Sequence, residues 1–233
     1  MDTTKVDLCI IIPAYNESRR ILATIEKQVE ELQGWVYHII VCDDGSSDNT
    51  AALCETIRER PGLSLRVLRQ RHAGRGQALK YALERCSSKY VAFSSADIVL
   101  RRFEVERGLT RLRKADLVMF SKWTRKRSGN APRWILSRVF SFFLRVLFHV
   151  PFHDTQGVKL VELQTVRKII SACSSSGFFL DAEIAIVAFK RGFRVVEQPW
   201  DYSYSPGSTI TPSAALRVAH EMLLIRLRLP PEG

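Results

Sequence analysis

The chain has 233 residues, 46% of them hydrophobic, which is enough apolar material to bury the core of one ordinary domain. Lysine and arginine outnumber aspartate and glutamate by 35 to 24, and the net charge of +11 favours an anionic partner such as a phosphorylated substrate, acidic lipid or nucleic acid. No apolar run reaches the roughly 18 residues that a membrane-spanning helix needs, so membrane contact is expected only at the surface.

The five cysteines form no C-x-x-C pair, and the first residues, M-D-T-T-K, lack the apolar segment of a signal peptide. Both observations favour a reducing cytoplasm, in which the thiols pack as small apolar side chains. A secreted scaffold held together by disulfides is disfavoured.

Apolar runs alternate with segments of helical spacing along the first half of the chain. The predicted strands are residues 6–12, 37–42, 64–68, 90–94 and 117–121. The helices predicted between them are residues 18–32, 48–59, 76–85 and 103–114. This alternation predicts an α/β domain with a mostly parallel central sheet flanked by helices. Ligands of such sheets bind beyond the carboxyl ends of the strands.

Polar motifs follow the first two predicted strands. The first motif, P-A-Y-N-E at residues 13–17, stands where a dinucleotide-binding dehydrogenase would carry a glycine-rich turn. The second begins with Asp43 and Asp44, whose carboxylates can accept hydrogen bonds from a base or a ribose. The turn does not need two adjacent carboxylates, which repel each other, so a ligand-binding role is favoured for both. Residues 46–50 are interpreted as an acidic turn and helix cap.

Together these motifs resemble the family-2 glycosyltransferases with the GT-A fold, which carry P-x-Y-N-E and D-D-G-S-x-D-x-T at these strand ends. The resemblance implies a nucleotide-sugar donor and places Asp44 at the edge of its base. Residues 72–76 resemble the basic turn of the family, which puts Arg75 near the nucleotide phosphates at a helix N-terminus. The other residues assigned to the donor are Pro13, Ala14, Tyr15, Glu17 and Asp43.

The D-x-D motif of the family is altered after the fourth predicted strand. Asp97 matches the second acidic position, whereas Ser95 stands at the first, with Ala96 between them. Val99 replaces a glutamine of the members that act on polyprenyl phosphates. The resemblance assigns residues 95–97 to the donor site and Asp97 to Mg²⁺ or Mn²⁺. Because two expected ligands are replaced, the affinity for metal is expected to fall, and surrounding cations are an alternative means of neutralising the diphosphate.

Residues 117–153 contain no acidic residue, which makes this stretch strongly anion-seeking. Within it, residues 134–148 combine large apolar side chains with intermittent arginine. That composition is typical of a helix lying among lipid headgroups, and equally of a core helix with solvated arginines.

Three further motifs resemble those of the dolichyl- and undecaprenyl-phosphate sugar transferases: a basic residue after the fifth strand, an R-x-x-x-S helix start, and D-T-Q-G-V-K at residues 154–159, one residue shorter than the D-T-Q-x-G-F-K type of the family. The resemblance assigns Lys122, Arg133 and Ser137 to the acceptor phosphate, and Asp154 and Gln156 to the sugar site. The candidate catalytic residues are Asp97, Asp154, Arg133 and Gln156. Two later segments resemble the D-x-E helix and E-x-P strand of the family; Asp181 or Glu183 would act as a base or orient a cation.

The resemblance implies an inverting enzyme that moves a hexose from a donor such as UDP-glucose or GDP-mannose to a polyprenyl or dolichyl phosphate. A lipid phosphate is already ionised near neutral pH, so it can attack the anomeric carbon without a general base. Two alternatives remain: transfer to a saccharide hydroxyl, and a non-catalytic nucleotide-sugar-binding protein, the latter suggested by Ser95 and Val99.

Residues 1–212 are expected to form the GT-A catalytic domain, including an amphipathic membrane-surface helix at 133–149, and residues 213–233 a C-terminal amphipathic helix and tail. The expected partners are a nucleotide sugar, a polyprenyl or dolichyl phosphate, an anionic membrane surface and a membrane subunit that anchors the chain. Nucleic acid is not among them. The expected location is the cytoplasmic face of a membrane, with peripheral attachment.

Overall fold

The computed structural model describes residues 7–60, 63–121, 131–200 and 212–228, with side chains described except at residues 131–137 and 212–217. In these ranges one sheet contains seven strands. They are β1 (Leu8–Ala14), β2 (Tyr37–Asp43), β3 (Leu65–Arg69), β4 (Tyr90–Phe93), β5 (Leu117–Ser121), β6 (Lys159–Glu162) and β7 (Val195–Pro199). The helices of the same ranges are α1 (Ile21–Glu31), α2 (Thr50–Ile57), α3 (Arg75–Glu84), α4 (Arg102–Leu112), α5 (Ala131–Phe148), α6 (Leu163–Ile170), α7 (Leu180–Lys190) and α8 (Pro212–Arg228).

The sheet has the strand order β3-β2-β1-β4-β6-β5-β7. β1 pairs in parallel with β2 and β4, β2 with β3, and β5 with β7. Among these seven strands, β6 alone runs antiparallel to its neighbours, β4 and β5. The predicted α/β fold with a mostly parallel sheet is therefore confirmed.

Successive side chains of a strand point to opposite sides of the sheet. Both sides are covered by helices. On one side, Cys9 and Ile11 of β1 belong to a core built with α3, α5, α6, α7 and α8. On the other, Ile10 and Ile12 pack with α1, α2 and α4. All five cysteines are buried and free, as predicted.

The first strand ends two residues later than predicted, so that Pro13 and Ala14 are its last residues rather than the start of a loop. A proline inside a central strand normally removes a ladder hydrogen bond. Here β4 pairs with β1 only as far as Ile11, which lies opposite Phe93. Pro13 lies on the same side of β1 as Ile11, the side toward β4, but beyond the last pair of β1 and β4. The N–H group that proline lacks would therefore have no hydrogen-bond partner in β4.

The direction of β6 determines which loops meet. The carboxyl ends of the parallel strands β1 to β4 lie at one edge of the sheet. Because β6 is antiparallel, its first residue, Lys159, lies at that edge, opposite Phe93 of β4 and Met119 of β5. The segment 153–158, which precedes β6, is thereby brought to the edge that carries the first two motifs. None of the helices in the described ranges is both long and apolar enough to span a membrane.

Candidate active site

The loops after β1 and β2 are hydrogen-bonded to each other. The Asn16 Oδ1 atom accepts from the backbone N–H groups of Ser47 (2.9 Å) and Asp48 (3.4 Å), and the Asn16 N–H donates to Ser46 Oγ at 2.9 Å. Asn16 has a φ of 55°, a left-handed conformation that asparagine tolerates better than most residues. The two motifs therefore form one structural unit.

Asp48 fastens this unit to the start of α2. Its carboxylate accepts from the backbone N–H groups of Thr50 (3.0 Å) and Ser18 (3.2 Å) and from the Thr50 hydroxyl. Burial alone would raise the pKa of Asp48, but these hydrogen bonds outweigh burial and lower it to about 2. The turn predicted for residues 46–50 is confirmed; the first N–H of α2 is capped by Asp48, whereas the N-cap residue itself, Asn49, makes no side-chain capping hydrogen bond.

Asp44 lies at the end of β2 and holds the turn that precedes α3. Its carboxylate is 2% exposed and accepts from Gln70 Nε2 (2.6 Å) and from the backbone N–H groups of Ala73 and Gly74 (2.9 Å each), while His72 Nδ1 lies 2.9 Å away. This arrangement fixes where α3 begins. Contact between Asp44 and a nucleotide base stays a prediction.

Gly45 permits the close approach of this turn. It has a φ of 73°, and a Cβ atom at this position would lie 2.7 Å from the backbone nitrogen of His72. A larger residue would push the turn away from Asp44.

Asp43 has a buried acceptor that the described residues leave without a hydrogen bond. Its Oδ2 atom accepts from the Ser46 N–H at 3.3 Å, whereas its Oδ1 atom has no hydrogen-bond partner among the residues that the structure describes. Buried carboxylate oxygens are rarely left without a donor. Asp43 Oδ1 is therefore suited to accept from a hydroxyl or amide of a ligand.

Tyr15 and His72 provide an aromatic surface beside Asp44. Their ring centroids lie 4.3 Å apart with an interplanar angle of 29°, and Tyr15 is 46% exposed. An exposed stacked pair can accept the face of a planar base. Contact with the donor was predicted for Tyr15 but not for His72, although His72 lies in the basic turn at residues 72–76.

The altered D-x-D segment forms a compact turn at the end of β4. The Ser95 hydroxyl donates to Asp97 Oδ1 at 2.5 Å. Two buried polar residues of α1 hold the backbone of this turn: Thr24 Oγ1 donates to the Ala96 carbonyl at 2.7 Å, and Gln28 exchanges two hydrogen bonds with Leu100, at 2.8 and 2.9 Å. The position of Asp97 is thus set by α1 as well as by its own strand.

Glu17 lies near enough to the same turn for Asp97 to affect its pKa. Burial raises the pKa of Glu17, the neighbouring Arg20 counteracts this, and Asp97 and Asp48 add to the rise. The carboxylates of Glu17 and Asp97 therefore share one region.

The donor atoms of this turn fit a divalent cation only together with substrate oxygens. Asp97 supplies a single carboxylate, Ser95 supplies a neutral hydroxyl, and the described residues contain no cluster of three His, Cys, Asp or Glu side chains. Mg²⁺ is commonly held by one or two carboxylates and the phosphates of a substrate. The single carboxylate that Asp97 supplies is the smallest number of protein carboxylates in that arrangement.

Three charges, the half-buried Arg75 and the buried Asp181 and Lys159, link the start of α3 to α7 and β6. Arg75 Nε donates to Asp181 Oδ2 at 2.8 Å, and Lys159 Nζ donates to Asp181 Oδ1 at 3.2 Å. Burial alone would raise the pKa of Asp181, but Arg75 and then Lys159 outweigh burial and lower it. Burial lowers the pKa of Lys159, and Asp181 acts against this. Both oxygens of Asp181 are engaged by cations, which favours an orienting role over that of a base for an acceptor hydroxyl.

Glu183 is likewise engaged. Its Oε1 atom accepts from the N–H of Ser174 and its Oε2 atom from the N–H of Ser175, both at 2.8 Å. Of the two roles predicted for the D-x-E pair, the structure supports orientation of cations for Asp181, whereas Glu183 shapes the segment before α7.

The segment 153–157 is fixed from β7 and α5. Glu197 Oε1 accepts from the N–H groups of His153 (3.0 Å) and Asp154 (2.9 Å), and the Ser141 hydroxyl of α5 donates to the His153 carbonyl at 2.7 Å. Asp154 is buried, and its Oδ1 atom accepts from the N–H of the exposed Gln156 at 3.1 Å.

Gly157 allows the end of this segment to pass close to the backbone of β5. A Cβ atom at Gly157 would lie 1.9 Å from the Phe120 carbonyl oxygen of β5, so no other residue fits without movement of the backbone. The segment therefore passes close to β5 before it enters β6.

The structure thus brings most of the predicted site to one edge of the sheet: Pro13, Ala14, Tyr15, Glu17, Asp43, Asp44, Arg75, Ser95, Ala96, Asp97, Asp154 and Gln156. Lys122 lies outside the described residues, as do the side chains of Arg133 and Ser137 in the first turns of α5. The predictions for these three residues stay predictions. The edge combines acceptors for a base and ribose with a cation at a helix N-terminus, which suits a transferase that uses a nucleotide sugar.

Comparison with known protein families confirms that the chain is a transferase of this class. The family described as glycosyl transferase family 2 matches residues 9–174, and the chain belongs to it. It is a glycosyltransferase. Glucosyl-3-phosphoglycerate synthase from Mycobacterium tuberculosis, solved with Mg²⁺ and uridine diphosphate, superposes with a TM-score of 0.69 at 19% identity, covering 97% of this chain and 81% of that one. At this identity the likeness establishes the GT-A fold alone.

Among relatives of known function, a dolichyl-phosphate beta-glucosyltransferase from Dictyostelium discoideum is 30% identical, over 95% of this chain and 74% of its own length. The corresponding Saccharomyces cerevisiae protein is 25% identical, over 97% of this chain and 76% of its own. The glycosyltransferase AglD from Haloferax volcanii is 26% identical, and the match covers 84% of this chain and 33% of AglD. The chain therefore spans about a third of AglD and about three quarters of the other two.

Proposed function

We propose that this glycosyltransferase moves a hexose, with inversion, from a nucleotide sugar to a polyprenyl phosphate such as dolichyl phosphate. One observation carries the proposal: the antiparallel β6 brings Asp154 and Gln156 to the edge that holds Asp44 and Asp97. The motif assigned to the sugar and the motifs assigned to the donor then lie at the same edge of the sheet. The dolichyl-phosphate glucosyltransferase relatives support this acceptor and favour glucose as the sugar.

The chemistry needs positioning more than a base. A phosphate monoester already carries an ionised oxygen near neutral pH, so this oxygen can attack the anomeric carbon while the bond to the nucleoside diphosphate breaks. A single displacement of this kind inverts the anomeric centre. The engagement of Asp181 and Glu183 by other groups fits a reaction that needs no general base.

Neutralisation of the leaving diphosphate is assigned to Arg75 and the N-terminus of α3. Two N–H groups of Arg75 are used by Asp181 and the Ser94 carbonyl, out of the five that a guanidinium carries. A divalent cation, when bound, would be held by Asp97 and would supply further positive charge to the diphosphate.

The acceptor phosphate is assigned to Lys122, Arg133 and Ser137, as the motifs imply. Cations are needed there because two phosphorylated substrates repel each other at close range. The Ser141 hydroxyl of α5 donates to the His153 carbonyl and so ties α5 to the segment of the sugar site, which supports this assignment.

The membrane surface is the proposed location of α5. Four exposed apolar residues follow at helical spacing, Val139, Phe142, Phe143 and Val146, between 44% and 61% exposed, while Leu144 faces the core. Two exposed arginines lie on the same helix, Arg138 and Arg145. Large apolar side chains beside cations are typical of a helix that lies among anionic headgroups. We place this membrane contact on the cytoplasmic side.

The proposal is tested by incubating the purified chain with labelled UDP-glucose or GDP-mannose and dolichyl phosphate in vesicles, with and without EDTA. Labelled product that extracts with lipid is the expected result. Transfer only to soluble glycans would favour a saccharide acceptor, and binding of the nucleotide sugars without turnover would favour a non-catalytic protein.

Two variants of α5 locate the acceptor in the same assay. Arg133→Ala should raise KM for dolichyl phosphate about tenfold, the loss of one charge-assisted contact, with little effect on donor KM. Arg138→Ala, which removes an exposed arginine assigned to the membrane surface of the same helix, measures how much of that rise comes from weaker vesicle binding alone. Equal loss toward donor and acceptor would contradict the assignment of Arg133.

A further inference from the structure

A largely buried cluster of charges lies behind the proposed site. It consists of Arg75 at the start of α3, Asp181 in α7 and Lys159 at the start of β6. Asp181 is 3% exposed and Lys159 is fully buried. The three residues come from segments far apart in sequence, so the cluster exists only in the folded chain.

Stability alone gives a weak reason for such a cluster. Removing a carboxylate and an ammonium group from water is unfavourable, and well-packed apolar residues of similar volume often stabilise a protein as much or more. The hydrogen bonds of Lys159 show what the charges achieve instead. Its Nζ atom also donates to the carbonyls of Thr155 (2.8 Å) and Gly157 (3.1 Å), and so holds the segment before β6.

Arg75 makes the corresponding contact on the donor side. Its Nη2 atom donates at 3.0 Å to the carbonyl of Ser94, the residue that precedes Ser95 and the turn of Asp97. One carboxylate, Asp181, therefore holds two cations, and each cation holds a different part of the site. Arg75 fixes the end of β4, whereas Lys159 fixes residues 155–157.

We propose that Asp181 is a positioning residue that keeps Arg75 directed at the donor diphosphate and, through Lys159, keeps the 154–157 segment at the transferred sugar. The inference rests on the proposed function and adds a specific device to it. The diphosphate side and the sugar side of the site are then held in one arrangement by a single buried carboxylate.

Asp181→Asn tests this role because it keeps the shape of the side chain and removes its charge. UDP and GDP serve as probes, with dissociation constants from calorimetry, and kcat and KM come from the lipid-transfer assay. The variant should bind the preferred nucleotide about tenfold more weakly and lose about tenfold or more in kcat, since small misplacements of reacting groups have effects of this size. Asp181→Glu, which restores the charge, should recover part of both losses.

Glu104→Gln is the matched control. Glu104 is a buried carboxylate of α4, 2% exposed, which pairs with Arg101 at 3.2 Å and accepts from Gln198 Nε2 at 3.2 Å. Its neutralisation removes a buried charge outside the site. Stability should fall, while nucleotide affinity and kcat should stay within about twofold of the parent chain.

Lys159→Met separates the two halves of the cluster and covers the case in which Asp181→Asn fails to fold. It leaves the Arg75–Asp181 pair intact, so nucleotide affinity should change by less than about threefold while kcat falls about tenfold. Asp181→Asn combined with Lys159→Met removes the unpaired buried cation; it should regain stability without regaining nucleotide affinity.

The positioning role is overturned if Asp181→Asn, or the double variant in its place, binds and turns over like Glu104→Gln. It is also overturned if Lys159→Met weakens nucleotide binding as much as it lowers kcat. Failure of the proposed function looks different, because the parent chain itself would then transfer no sugar to dolichyl phosphate.

Discussion

The loops after β1 to β4 and the helices α5 and α8 differ in how far their side chains find contacts within the chain. In the loops, polar groups are satisfied by neighbours in the chain: Asp44 has several donors, and Asn16 joins two loops. In the two helices, large apolar side chains are left in contact with solvent. Phe142 is 61% exposed in α5, and Leu227 is 84% exposed in α8.

The difference indicates where each region finds its partner. A loop network that is largely formed before substrate arrives, with Asp43 Oδ1 left to accept from a ligand, needs little reorganisation to bind, and such preorganisation favours catalysis. Exposed apolar rows gain stability only when another apolar phase covers them. α8 illustrates the division within one helix, because Met222 and Ile225 are buried in the core while Leu223 and Leu224 are exposed. The donor side thus finds its contacts within the chain, whereas the exposed apolar side chains of α5 and α8 need a further apolar surface, which for α5 we propose is the membrane.

Breaking the loop network should have the largest effect. Asp44→Ala removes the acceptor of several hydrogen bonds and leaves the N–H groups of Ala73 and Gly74 without a partner. We expect a loss of about 3 kcal/mol in the free energy of unfolding, because buried donors are left unpaired. Urea denaturation measures it.

Asp43→Asn is the control for that measurement. Asp43 is the adjacent buried carboxylate, but its hydrogen bond in the described residues is a single one, from Ser46 at 3.3 Å. Its loss should be about 1 kcal/mol. Equal destabilisation by the two substitutions would contradict the view that Asp44 organises the turn before α3.

Removing the apolar row of α5 should have an intermediate effect, confined to membrane binding. Phe142→Ser with Phe143→Ser should weaken binding to vesicles of phosphatidylcholine and phosphatidylglycerol at least about tenfold, since burying one phenylalanine is worth roughly 1.5–3 kcal/mol. Both side chains are exposed, so the free energy of unfolding should change little. Vesicle co-sedimentation gives the affinity.

Phe103→Ser is the matched control, because Phe103 is 46% exposed on α4, outside the row. It should leave vesicle binding unchanged. Vesicles of phosphatidylcholine alone should bind the parent chain more weakly, given the arginines beside the row. If Phe103→Ser weakens binding as much as the α5 variant, the membrane surface is assigned to the wrong face.

The sequence was sufficient for the fold wherever apolar periodicity was strong. The strands up to β5 and the helices between them were predicted with ends within three residues of those observed. β6 was not predicted, because it has four residues and begins with the charged Lys159. Its antiparallel direction follows from pairing with β4 and β5, which no local pattern encodes.

The candidate site was predictable in its residues and less so in their connections. Motifs at strand ends identified Asp44, Asp97 and Arg75. They did not show that Thr24 and Gln28 of α1 hold the turn of Asp97, although two polar residues on the buried face of a helix are a usable signal. The pairing of Arg75 with Asp181 joins residues 106 positions apart and depends on the packing of α3 against α7.

The smallest expected effect is a change in how the stability of the loops depends on pH. The pKa of Asp48 is lowered to about 2 in the folded chain, so its ionised form stabilises the fold above the pKa of the unfolded chain, near 3.8. That contribution is lost as pH falls toward 2. Asp48→Asn should be less stable than the parent chain at neutral pH by about 1 kcal/mol or less, because the side chain is partly solvent-screened.

The gap should narrow between about pH 4 and about pH 2, as the parent carboxylate takes up its proton. Urea titrations across this range measure it. Thr50→Val provides an independent comparison: it keeps the side-chain shape but removes a hydroxyl that donates to Asp48, so the pKa should rise and the pH dependence should flatten. A gap that stays constant down to pH 2 would mean that the interlocked loops are held by backbone hydrogen bonds whose strength does not depend on the charge of Asp48.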